Sequence, residues 1–77
     1  MITVEHVERL LDAEEPETAL VVVGGRAEIV PKGEETGGLL VTDRRALVGR
    51  LGGDDPSPEA LARVAQALDA AVTELGG

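Results

Sequence analysis

Few side chains in this sequence could perform chemistry, and no spacing ties them together. Ser57, His6 and Lys32 are each the sole residue of their type, and Phe, Trp, Tyr, Cys and Asn are absent. A serine nucleophile needs a base within hydrogen-bond reach. His6 is the one candidate, and nothing in the spacing links it to Ser57. Ser57 stands between two prolines, where an N-cap followed by proline at the first helical position is expected. The acidic runs Asp12-Glu14-Glu15-Glu17, Glu34-Glu35 and Asp54-Asp55 could hold Mg²⁺ or Ca²⁺ or share a proton. None has EF-hand spacing and each adjoins proline or glycine, so they read as solvated loop charge. No Cys/His cluster offers a zinc site. The Gly-Gly pairs fit neither the dinucleotide nor the Walker pattern, because Gly24-Gly25 leads into a strand-like run and Lys32 lies outside any Gly-Lys-Ser/Thr unit. No catalytic, cofactor-binding or metal-ligating residue is therefore expected. What remains is Arg44, Arg45 and Arg50, a basic patch able to grip a carboxylate or phosphate on a partner or to pair with Asp43 and a neighbouring subunit.

The elements that would carry these residues follow from pattern. Thr3 can cap a helix on which Val4, Val7, Leu10 and Leu11 share one face, with His6 on the solvent side, and which stops near Glu14 before Pro16. Thr18 to Val23 reads as a strand. Gly24-Gly25 supplies a tight hairpin turn, and Arg26 to Pro31 alternates as a half-buried second strand. The polar stretch from Lys32 to Gly38 is a loop, and Leu39 to Thr42 is a third strand. Ala46 to Leu51 reads as a fourth strand, or equally as a short helix capped by Thr42 or Asp43 and closed by Gly52; Gly49 in its middle favours the strand. After the linker Gly52 to Pro56, Glu59 to Leu75 forms a helix whose stripe of Leu61, Ala65, Leu68, Val72 and Leu75 should pack on the sheet. The expected fold is α+β: a two-layer sandwich of helix, three or four short antiparallel strands and helix, with both helices on one sheet face.

At 77 residues this is one small domain, residues 1–77, too short for a second core. With no disulfide, zinc or aromatic residue, its core must be aliphatic, and oligomerisation is the usual remaining source of stability. The Val21-Val22-Val23 run is apolar on both faces, yet a two-layer fold covers only one. Either that strand is shielded or the open face meets a partner, and Val21, Val23, Val30 and Val48 are the candidates for such a face. A net charge of −8 disfavours nucleic acid and anionic membranes. No apolar run approaches the ~20 residues that span a bilayer, and no signal peptide is evident, so the cytoplasm is the expected compartment.

Two short stretches resemble known families. The phrase from Leu40 to Val48 is similar to a hairpin in bacterial pleckstrin-homology-like domains. The C-terminal Gly76-Gly77 resembles the end of ubiquitin-like modifiers and sulfur carriers, which implies a β-grasp fold and an activated carboxylate at Gly77. Here the pair follows directly on a helix, whose closure explains it adequately. The expected function is thus a non-enzymatic interaction or regulatory module. It forms a homodimer and binds a protein partner through its sheet face or Arg patch. A covalent carrier acting through Gly77 and a small-molecule-binding module are the alternatives.

Overall fold

The structure, a computed structural model, describes residues 2–31, 33–34, 37–53 and 55–74. Helix α1 runs Val4–Asp12 and presents Val7, Leu10 and Leu11 to the interior. A hairpin follows, strands β1 (Ala19–Val23) and β2 (Arg26–Val30), turning through Gly24 and Gly25 at φ of 59° and 80°. Two consecutive positive φ values are what a two-residue hairpin loop demands and what glycine supplies without steric cost. Strand β3 (Leu39–Asp43) then pairs with β1, not β2, giving an antiparallel sheet of order β2-β1-β3 with β1 in the centre.

The fourth-strand reading of residues 46–51 is overturned, and with it the likeness of Leu40 to Val48 to a hairpin. Arg44–Leu51 is a helix, α2. Its caps decide the matter. The Asp43 carboxylate accepts the Ala46 N–H at 2.7 Å, and Gly52, at φ 79°, turns the chain out of the helix. The last helix, α3, covers Pro58–Glu74.

All three helices lie on one side of the sheet. Leu20 of β1 joins Ile2, Val7, Leu10, Leu11, Leu47, Leu61, Val64, Ala65, Leu68 and Val72 in one aliphatic core, edged by Val22, Ala27, Ile29 and Val41. Helix α1 touches β1 and β2, and α2 touches β3. Helix α3 rests mainly on α1 and also meets α2, so its apolar stripe serves helix packing more than sheet packing; Leu75 of that stripe lies outside the described residues.

The sheet order has a topological consequence. Val30 pairs with Ala19 at one end of β1, whereas Leu39 pairs with Val22 near the other end. The segment 31–38 therefore joins points at opposite ends of β1 and on either side of it. A Cβ on Gly38 would stand 2.7 Å from Val23 Cγ2, 3.3 Å from the Val22 carbonyl oxygen and 3.5 Å from Val21 Cβ. Ala19 and Val21 are also buried, at 1% and 0% exposure, although neither belongs to the helix-side core.

Candidate interaction surface

The residues singled out for chemistry are mostly engaged in holding the fold together. Ser57 Oγ accepts the Ala60 N–H at 3.1 Å and so caps α3. The Thr3 backbone N–H donates to His6 Nδ1 at 3.0 Å, with Thr3 Oγ1 3.1 Å from the same nitrogen. His6 thus plays the part that Glu or Gln has in a capping box, and Nδ1 must be unprotonated to accept. Among the described residues, no group of three or more His, Cys, Asp or Glu side chains could hold a metal ion. Asp54 of the Asp54-Asp55 pair and Glu35 of the Glu34-Glu35 pair, like Gly76 and Gly77, lie outside those residues.

The arginine patch is divided by the fold. Arg44 is half-buried and its Nε donates to the Leu11 carbonyl oxygen at 3.0 Å, satisfying one of the open carbonyls at the end of α1. Its backbone N–H donates to the Thr18 carbonyl at 2.8 Å, and that of Arg45 to Pro16 at 2.9 Å. Arg44 is therefore a brace between α1 and α2, and is not available to grip a partner. Arg45 and Arg50 are exposed. Arg50 lines a groove between α2 and α3 of about 280 Å³ with Leu51, Ala60, Arg63, Val64 and Ala67. Arg63 is a member of this basic pair that sequence reasoning missed; with α2 read as a strand, nothing placed Arg63 near Arg50.

The apolar face is also redistributed. Val48 sits on α2 against the helix-side core, not on the sheet. Val21 is buried on the sheet face opposite the helix-side core, while Val23 and Val30 are half-buried on the same face. Among the described residues, the exposed large apolar side chains are Leu39 (42%) and Leu40 (56%), consecutive on β3. Successive strand residues point to opposite faces, so the two leucines straddle the outer edge of the sheet. Leu39 stands opposite Val22 of the helix side, and Leu40 opposite Val21. At the far edge, β2 carries exposed Arg26 and Glu28, charges of the kind that discourage strand addition. The register shift between Leu20 and Val21 leaves Val41 as an extra residue in β3 and limits the regular edge to its first half.

A second depression, about 430 Å³, runs between α1 and the segment before α3, lined by Glu5, Glu8, Arg9, Leu11, Asp12, Asp55, Pro56 and Leu61. Arg9 pairs with Glu5 at 3.4 Å across one turn, and both side chains are largely exposed. No helix of the described residues is long and apolar enough to cross a membrane. No protein-family model, curated protein or solved structure shows significant similarity to the chain.

Proposed function

We propose that this chain is a non-catalytic interaction module of the cytoplasm that self-associates through the outer edge of β3. The observation that carries the reading is the pair Leu39 and Leu40, exposed side by side on an edge strand, while the other large aliphatic side chains among the described residues are covered at least in part. An unpaired edge offers backbone N–H and C=O groups to an added strand, and the side chains on either side of it supply the apolar burial. A second copy of β3 meets both requirements at once, since an antiparallel two-fold pairing sets the same leucines against each other.

The edge is short. Stable complexes bury about 800 Å² per partner, well beyond what five residues and two leucines provide. The expected dimer is accordingly weak, with a Kd of tens to hundreds of micromolar. Sedimentation equilibrium between 10 µM and 1 mM tests this, those limits being on the order of the expected Kd. The wild-type mass should rise towards that of a dimer across the series, and Leu40→Glu should hold it at the monomer value. A wild-type chain that stays monomeric at the highest concentration refutes the proposal.

A further inference from the structure

Among the described residues, two arginines, Arg50 and Arg63, line one groove with apolar side chains between α2 and α3. Buried Val64 and half-buried Leu51, Ala60 and Ala67 line it together with the exposed Arg50 and Arg63. Neither arginine has a carboxylate within 4.0 Å among the described residues. Glu59, one turn before Arg63, makes no such pair although the spacing would allow it. In a chain of net charge −8, with fifteen acidic residues to seven basic ones, two unneutralised guanidinium groups beside the same depression stand out. At physiological salt charge farther than about 8 Å is screened, so the field in the groove is set by these two and by Glu59, which adjoins Ala60 in sequence. Arg50 also suits the negative end of the α2 dipole, which keeps it near the groove without using up its donors.

We propose that this groove binds a short acidic peptide segment of a partner protein, one aliphatic side chain entering between Ala60 and Ala67 while flanking carboxylates meet Arg50 and Arg63. The volume, about 280 Å³, matches one leucine-sized side chain and its backbone better than an extended apolar ligand. The guanidinium fork fits a carboxylate in a planar, two-point contact, so carboxylates are chosen over neutral amides.

The probe is a fluorescein-labelled pentapeptide, Asp-Glu-Leu-Asp-Glu, acetylated and amidated at its ends, read by fluorescence anisotropy. The amide isostere Asn-Gln-Leu-Asn-Gln serves as the control. The acidic peptide should bind about tenfold more tightly than the isostere at low salt, and the difference should shrink as salt is raised. Arg50→Gln with Arg63→Gln should abolish the difference, whereas Arg26→Gln, at an exposed arginine of β2 outside the groove, should preserve it. Both arginines are exposed, and circular dichroism verifies that the double variant is folded. In a ¹⁵N-labelled sample the shifted amides should cluster at Leu51, Ala60, Val64 and Ala67. Equal binding of the two peptides, retention of the preference in the double variant, or shifts centred elsewhere would each overturn the proposal.

Discussion

The sole histidine and the glycine before β3 show how little spare chemistry this chain contains. His6 accepts from the Thr3 backbone through Nδ1, so His6→Ala should lower stability by about 0.5–1 kcal/mol, within the range for lost N-terminal caps. His6→Gln, which restores an acceptor at the same helical position, should recover most of that loss. Urea unfolding followed by circular dichroism distinguishes the two. Gly38 is constrained differently: its φ is not positive, and what forbids a side chain is Val23 Cγ2 at 2.7 Å together with the Val22 carbonyl oxygen at 3.3 Å. Gly38→Ala should cost about 1–3 kcal/mol in the same assay, as overpacking against a stiff β-branched neighbour does. A neutral effect would mean that Gly38 does not lie against Val23 as described.

At the scale of the element, α2 is the instructive case. Its best-buried residue is Leu47, and Ala46, Gly49 and Arg50 are exposed, so apolar periodicity gives it almost no signature. The caps Asp43 and Gly52 specify it instead, and a β-branched Val48 beside Gly49 masks them in the sequence. Gly49 is open on all sides, with nothing within 4 Å of an added Cβ. Gly49→Ala should therefore stabilise the protein by about 0.5–1 kcal/mol, through helix propensity and a less flexible unfolded chain. A melting point unchanged or lowered would contradict that account. By contrast α1, α3 and the β1–β2 hairpin were legible, because each has strong periodicity or an unambiguous turn: Val4, Val7, Leu10 and Leu11 in the first, Ser57-Pro58 at the start of the second, Gly24-Gly25 in the third. Strand β3 was legible as a strand but its neighbour was not. Pairing with β1 in place of β2 depends on a connection whose polar sequence, 32–38, records no direction. For the same reason the shielding of Val21 and the meeting of Arg50 with Arg63 had no local signal.

For the molecule as a whole, the contact that joins the most distant parts of the chain is also its most evident pH sensor. The Ile2 backbone N–H donates to Asp69 Oδ1 at 2.9 Å, and this bond draws the Asp69 pKa below its ordinary 3.8. In the unfolded chain the carboxyl titrates normally, so on acidification the unfolded state takes up the proton first. The stabilisation is complete above the unfolded pKa and is lost as pH falls through the lower, folded one. Asp69→Asn keeps an acceptor oxygen but no charge. Its denaturation midpoint, measured from neutral pH down to about pH 3, should fall less steeply below about pH 4 than that of the wild type. Parallel curves would remove Asp69 from the acid response. The same bond bears on biosynthesis. Ile2 is a core residue, 5% exposed, and its partner comes 67 positions later. At translation rates of about 5–20 residues per second, roughly 3–13 s separate the two. Throughout that interval α1 has no α3 to rest on, so the core stays incomplete until α3 has been made.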